Sequence, residues 1–204
     1  MRGLFIKDLY MMKTYCRMLL VMVLIFTVIG IFSEDNTFFI VYSMFMSAMI
    51  PRTLLAYDEN EHWDLTCDSL PVSRSRIVSV KYMVGLLCVL GIGALDLILL
   101  AFSMKNHFSE EVFFGSLCSV LTMGLLIPSI VLPIDFKFGT AKARIISVFV
   151  IACMAGGVAV ISYVKESLVL SFSKTGIYGI LAVAVCMYAV SWLLSICFYK
   201  KREF

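Results

Sequence analysis

The chain has 204 residues, of which 61% are hydrophobic and 15% charged, with a formal net charge of +3 and a mean hydropathy of +0.98. Soluble domains are about 45–50% apolar and about 25% charged, so this composition excludes an ordinary soluble domain. The small positive charge is spread over short segments between apolar blocks. It forms no soluble basic patch, which excludes a nucleic-acid-binding function.

Apolar residues come in six blocks whose lengths approach the roughly 20 residues that a helix needs to cross a bilayer. The segments between the blocks are short, so no room remains for a folded soluble domain. We therefore predict an all-α membrane protein that forms one domain over residues 1–204 and has six transmembrane helices. The predicted spans cover about residues 18–32, 37–56, 82–104, 112–134, 145–163 and 176–199.

Residues 1–17 carry too many charges to cross the membrane. Leu9, Met12 and Cys16 recur near helical spacing, and Lys7 is available to lipid headgroups. This pattern is typical of an amphipathic helix that lies in the cytoplasmic interface of the membrane. The alternative is that the segment is only the basic flank of span one.

The distribution of basic residues predicts the orientation of the chain. An even number of spans places both termini on one side, together with the loop between spans two and three. Fourteen of the 17 lysines and arginines fall on that side. Cytoplasmic segments carry the excess of lysine and arginine, so we expect both termini and that loop to be cytoplasmic. The basic residues expected outside are Lys105, Lys165 and Lys174.

The loop over residues 57–81 is the longest polar interval in the chain, and its first part holds five of the fourteen acidic residues. Each charge placed at the bilayer centre would cost about 2.5–3.5 kcal/mol, so this polar loop must stand in water. There it is accessible to a partner protein.

Local signals predict a short helix inside the polar loop. Asp58 followed by Glu61 matches an N-cap with an acid at the third helical position, so the helix should cover about residues 59–68. Pro71 ends it, because the residue before a proline disfavours helical geometry. Ser73 can then cap the next helix, which continues into span three.

Asp96 is the ionisable residue that lies well inside a predicted span. One interpretation is that it faces a translocation path or fixes a pair of helices. The alternative is that it snorkels to the membrane surface or hydrogen-bonds to a neighbouring helix, with no role in transport. In span four, Pro128 and Pro133 each remove a backbone donor and invite a kink. Gly139 is placed to end that helix before span five.

The sequence lacks the residue sets that catalysis would need. The two histidines, His62 and His107, are predicted on opposite faces of the membrane, so they cannot share a metal ion. The seven cysteines form no C-x-x-C pair, and no H-E-x-x-H sequence occurs. No P-loop sequence occurs either, so the chain cannot bind ATP in that way. We predict no enzyme activity, no metal site and no cofactor in this chain.

Six spans, an interfacial helix and a long acidic-then-basic loop together resemble the ABC-2 type transporter permeases. More specific segments are Leu-Pro-Val-Ser-Arg at residues 70–74 leading to Lys-Tyr at 81–82, and Phe-Lys-Phe-Gly at 136–139 with Lys-Ala-Arg at 142–144. Both resemble segments of the small bacterial permeases that include the membrane subunits of phenol-soluble modulin exporters. The likeness covers essentially the whole chain.

The resemblance implies that residues 59–68 are a cytoplasmic coupling helix between spans two and three. This helix would sit in a cleft of a separate ABC ATPase subunit, which would bind the ATP and Mg²⁺. The working unit in a bacterial cell membrane would hold two ATPases and two permeases, either identical or paralogous. Trp63 and Leu65 would be apolar anchors, the kind of residue that dominates interface energies. The implied coupling residues are Glu59, Glu61, Trp63, Asp64, Leu65, Asp68, Leu70 and Pro71.

The implied function is the transmembrane permease subunit of an ATP-driven exporter of amphipathic or hydrophobic peptides, with lipids, antibiotics and other small molecules still open as substrates. The rival function is a non-transporting membrane sensor or scaffold that holds a cytoplasmic partner through the same loop. The alternative for Trp63 is packing on its own subunit or at the membrane interface. The alternative for the acidic residues is a solvated face without a partner.

Overall fold

The computed structural model describes residues 2–32, 36–61, 63, 73–103, 110–150 and 174–201. Over these ranges the chain is helical and contains no strand, so the prediction of an all-α protein is confirmed for them. Residues 140–150 are helical, and seven further helices have defined bounds. They are α1 (Arg2–Tyr15), α2 (Arg17–Phe32), α3 (Asn36–Ala48), α4 (Ile50–Asn60), α5 (Arg74–Ser103), α6 (Glu110–Phe138) and α7 (Lys174–Lys201).

A sharp bend at Cys16 separates α1 from α2, and the two helix axes differ in direction by 68°. Charged residues occur along α1, whereas α2 has none after Arg17. A helix in the membrane interface and a helix that crosses the bilayer must differ steeply in direction. The interfacial position of α1, which would need such a change of direction, stays a prediction.

Among the residues that the structure describes, three helical segments are long and apolar enough to cross a membrane: Arg74–Ile98, Val120–Phe138 and Gly179–Lys201. The bent pair of α1 and α2 would add a fourth if it formed one span. The described residues thus make this a multi-pass membrane protein with three or four candidate spans. The predicted fifth span, residues 145–163, lies mostly outside them, and the count of six stays a prediction.

The predicted second span, residues 37–56, is divided in the structure between α3 and α4. The break lies at Met49, and Pro51 occupies the first turn of α4. Proline has no backbone N–H to donate to the carbonyl of Ser47, so the helical hydrogen bonding is interrupted there. It resumes when the N–H of Thr53 donates to the carbonyl of Met49 at 3.0 Å.

The predicted helix start at Asp58 is wrong. Asp58 is buried in the last turn of α4, which runs on to Asn60 and has Glu61 as its C-cap. An acid in the last turn opposes the helix dipole, and the N-cap prediction rested on local signals alone. Ion pairs from other helices hold Asp58 there, as described below. The predicted helix over residues 59–68 lies mostly outside the described residues, whereas α5 begins directly after Ser73, as expected.

The core lies where α5, α6 and α7 meet. The hydroxyl oxygen of Tyr82 lies 2.7 Å from the hydroxyl oxygens of both Ser191 and Ser195. The hydroxyl of Tyr188 donates to the backbone carbonyl of Tyr82 at 2.8 Å. Phe136 of α6 is fully buried in the same core. Polar contacts of this kind tie α5 to α7 within an apolar bundle.

α6 continues through Pro128 and Pro133 and ends at Phe138. Gly139 follows with a φ of 78°, in the left-handed region that residues with a side chain rarely adopt. Its N–H donates to the carbonyl of Asp135 at 2.9 Å, and the chain is helical again from the next residue. The predicted break at Gly139 is confirmed.

Candidate functional site

Two lysines and two aspartates from three helices meet at the base of the polar loop. This charge cluster consists of Lys7 and Asp8 of α1, Asp58 of α4 and Lys81 of α5. The Nζ atoms of Lys7 and Lys81 each lie 2.6 Å from one carboxylate oxygen of Asp58. Asp8 Oδ1 lies 3.0 Å from Lys81 Nζ and 3.6 Å from Lys7 Nζ. Each carboxylate therefore contacts both ammonium groups.

The charge cluster is almost fully withdrawn from solvent. The side chains of Lys81, Asp8 and Asp58 are 2%, 4% and 5% exposed, and only Lys7 reaches 23%. Removing an ion from water costs several kcal/mol, and this cost is offset only where every charge has partners. Two positive and two negative groups make the cluster neutral. The pairing therefore fixes the positions of α1, α4 and α5 relative to one another.

The surroundings of the charge cluster leave no room for a ligand. A cavity beside it, lined by Leu4, Ile77, Val80 and the four charged residues among others, measures about 10 Å³. One water molecule needs about 10–15 Å³ by the same kind of measure. The charge cluster is therefore a joint between helices and not a binding pocket.

The charge cluster also joins the two ends of the polar loop. Asp58 stands where the chain enters the loop and Lys81 where the chain leaves it, and the pair is only 2.6 Å apart. The ion pair therefore connects α4 to α5 on the two sides of the loop.

Trp63, predicted as an anchor for a partner, is half-buried against its own chain. Lys7 Nζ lies 4.2 Å from the centre of its ring, a cation–π distance. The ring packs against the core that contains Leu55 and Ile77. Its Nε1 is buried without a hydrogen-bond partner among the described residues. The contact with its own subunit is thus present in the chain alone, and docking on a partner stays a prediction.

Of the other seven predicted coupling residues, two are described by the structure and five are not. Glu59 contacts the segment after α6, because its Oε2 accepts hydrogen bonds from the N–H and the hydroxyl of Thr140, at 2.7 and 2.6 Å. Glu61 is exposed at the end of α4. The remaining five, Asp64, Leu65, Asp68, Leu70 and Pro71, lie outside the described residues.

A second set of contacts ties α4 to the end of α6 and to the helix beyond Gly139. Nη2 of Arg52 lies 3.3 Å from Oδ1 of Asp135, which is fully buried. Nη1 of Arg52 donates to the hydroxyl of Ser147 at 2.7 Å. Together with the bond from Thr140 to Glu59, these contacts attach α4 to both sides of the break at Gly139.

Asp96 links two helices inside the bundle. It is 1% exposed, and its Oδ2 accepts a short hydrogen bond from the hydroxyl of Ser43 in α3. Its Oδ1 is buried without a hydrogen-bond partner within the described ranges. Asp96 therefore makes the hydrogen bond to a neighbouring helix that was one of its two interpretations. Its position on a translocation path stays a prediction.

Sequence reasoning missed Lys7, Asp8, Lys81 and Asp135 as members of a site. The basic residues were read as signals of orientation, Lys7 also as a contact for lipid headgroups and Lys81 also as part of a family-like segment. Lys81 did carry a usable signal, because it stands directly before an apolar run in a helix that goes on into the membrane. An ionisable residue at such a position needs a partner. Which residue supplies that partner depends on how helices far apart in sequence pack.

Residues 3–200 match the family model described as ABC-2 family transporter protein. The match covers nearly the whole chain, including the charge cluster and the contacts of α4 with the segment after α6. No curated protein matches the chain.

Proposed function

Because the chain belongs to the ABC-2 family of transporter proteins and is a membrane-spanning permease, we propose that it is the transmembrane subunit of an ATP-driven exporter. ATP hydrolysis takes place on a separate ABC ATPase subunit in this proposal. The polar loop receives the movement of that ATPase, and the charge cluster passes it to the membrane helices.

The single observation that carries the coupling proposal is the Asp58–Lys81 ion pair at 2.6 Å. A long loop attached by flexible ends would absorb a push from a partner. A loop whose two ends are held together by a buried ion pair transmits the push to both attached helices. Lys7 and Asp8 extend the same joint to α1. The interfacial helix therefore moves with α4 and α5.

The contacts of Arg52 and Glu59 extend this path across the protein. Arg52 of α4 forms an ion pair with Asp135 at the end of α6 and a hydrogen bond with Ser147 in the next helix. A movement of α4 therefore reaches elements on both sides of Gly139. Packed elements with paired charges move as units, because their interfaces have discrete arrangements and do not deform smoothly.

The remaining parts of the proposal come from the sequence. The charge asymmetry places both termini and the polar loop in the cytoplasm, where an ATPase would stand. A working unit of two permeases and two ATPases, a bacterial cell membrane, and amphipathic or hydrophobic peptides as substrates follow from the resemblance to the small bacterial permeases. Trp63 and Leu65 dock on the ATPase in this arrangement.

The experiment separates docking from transmission. The full chain is co-expressed with a candidate ATPase, and co-purification and ATP-dependent export of a labelled amphipathic peptide are both measured. Replacing Trp63 and Leu65 together with alanine is expected to abolish co-purification. The pair Asp58→Asn with Lys81→Met is expected to keep co-purification but lose export, since the joint is neutral but no longer connects α4 to α5.

The matched control is Arg76→Gln, which removes an exposed charge in the first turn of α5 and should change neither measurement. The docking claim is wrong if the alanine variant still co-purifies and exports at the wild-type level. The transmission claim is wrong if the Asp58/Lys81 variant exports normally.

A further inference from the structure

A groove runs between α4 and the helical residues 140–150, and two side-chain contacts connect the two helices. Glu59 accepts two hydrogen bonds from Thr140, and Arg52 donates to Ser147. The two contacts are seven residues apart on both helices and occur in opposite order. The helices therefore run antiparallel, and the contacts lie two turns, about 10 Å, apart along the axes.

The groove contains a cavity of about 450 Å³. This volume lies within the range of about 300–1,000 Å³ that is usual for small-molecule sites. Charged and polar side chains from both helices line it: Arg52, Thr53, Tyr57, Asn60, Thr140 and Arg144. Their guanidinium, amide and hydroxyl groups suit an anion that carries several oxygen acceptors.

The charged side chains around the cavity differ in whether they already have a partner within the protein. Arg52 is held by Asp135 and Ser147, and Glu59 is held by Thr140. Arg144 lines the cavity and is exposed, and within the part of the chain that the structure describes its side chain makes no hydrogen bond or ion pair. The charge of Arg144 acts at a distance on the buried Asp135, and its guanidinium N–H groups remain available to a ligand.

The position of the groove indicates where such a ligand comes from. At one end it is lined by Met49, which lies in the predicted second span, and at the other by Asn60 at the start of the polar loop. Ala56 adds a second apolar contact between these ends. The groove thus runs from the predicted second span to the polar loop, and a phospholipid likewise has an apolar and a polar end.

We propose that this groove binds the phosphate of an anionic phospholipid, with Arg144 as the main contact. A guanidinium group can donate two parallel hydrogen bonds to phosphate oxygens. Tyr57 and Asn60 supply further donors, and Met49 lies beside the start of the acyl chains. Basic pockets between transmembrane helices on the cytoplasmic side are suited to anionic headgroups. The proposal rests on the proposed orientation only for the choice of the inner leaflet.

Lipid titrations of the purified full chain in detergent test this proposal without an ATPase, so their outcome is independent of the coupling proposal. Phosphatidylglycerol, phosphatidylcholine and inorganic phosphate are titrated separately, and the binding constant is obtained from the rise in melting temperature. Phosphatidylglycerol is expected to bind more tightly than the other two. Arg144→Gln is expected to weaken its binding about fivefold or more, the value of one basic residue near a lipid surface.

The matched control is Lys142→Gln, which removes the same charge from an exposed position on the same helix outside the cavity lining. It should bind phosphatidylglycerol as the wild type does. Equal weakening in both variants would mean general attraction to a basic surface and would overturn the proposed site. Equal binding of phosphatidylcholine would also overturn it. Binding of inorganic phosphate as tight as that of phosphatidylglycerol would assign the cavity to a free anion and overturn the lipid.

Discussion

Replacing Lys81 with methionine tests whether the charge cluster holds the helices together. The change removes one ammonium group and keeps a side chain of similar length. Asp58 loses a contact of 2.6 Å and Asp8 one of 3.0 Å, and both carboxylates are left with Lys7 alone. Removing one partner from a buried ion pair costs about 3–5 kcal/mol, because an uncompensated charge stays buried. We expect a loss of stability of that size.

Adding a second substitution should restore part of the stability that the first one removes. Asp58→Asn combined with Lys81→Met leaves Lys7 and Asp8, whose charged atoms lie 3.6 Å apart and which together are neutral. The double variant should therefore be more stable than the sum of the two single losses predicts. Residues in one network of ion pairs commonly show coupling energies of about 0.5–3 kcal/mol. We expect a value in the upper part of that range because the cluster is buried.

The free energy of unfolding is measured for the wild type, both single variants and the double variant in one detergent. Arg76→Met serves as the control, since it removes an exposed cation from the same helix and should change stability by no more than about 0.5 kcal/mol. Simple addition of the two single losses in the double variant would refute the reasoning. It would mean that the charges do not compensate one another.

Two further substitutions probe the fold. Gly139→Ala should lower the free energy of unfolding by about 1–2 kcal/mol, because Gly139 has a φ of 78°. The control Gly91→Ala lies at a helical position with open space around it and should not destabilise the protein. Equal effects of the two variants in unfolding titrations would contradict this prediction. Tyr82→Phe removes the hydroxyl that contacts two buried serines of α7 and should cost about 1–3 kcal/mol. Tyr10→Phe, at a side chain that is 74% exposed, should be neutral, and a Tyr82→Phe variant as stable as that control would rule out the network.

Features with a local physical cause could be predicted from the sequence. Apolar runs predicted the helices, and the described part of the chain is helical apart from short breaks such as those at Cys16, Met49 and Gly139. Ser73 marked the start of α5, and Gly139 marked the break after α6. Each of these signals acts within a few residues, through backbone geometry or through the cost of placing polar groups in lipid.

Predictions failed where a local signal competed with distant contacts. Asp58 and Glu61 have the spacing of a helix start, yet α4 continues past Asp58. Two lysines from α1 and α5 neutralise Asp58 in that position. Glu59 also makes a distant contact, since it caps the segment that begins at Thr140, and its predicted coupling role stays a prediction. These contacts outweigh helix-end preferences of about 1 kcal/mol.

The sequence by itself determined that this chain is a helical membrane protein with one long polar loop, because hydrocarbon accepts neither charges nor unpaired backbone groups. Only the tertiary structure decided what that loop is attached to. Lys7, Asp58 and Lys81 are distant in sequence, and nothing local says that they meet. Burial makes their meeting necessary, because a charge that leaves water needs an opposite charge beside it, and helix packing determines which one.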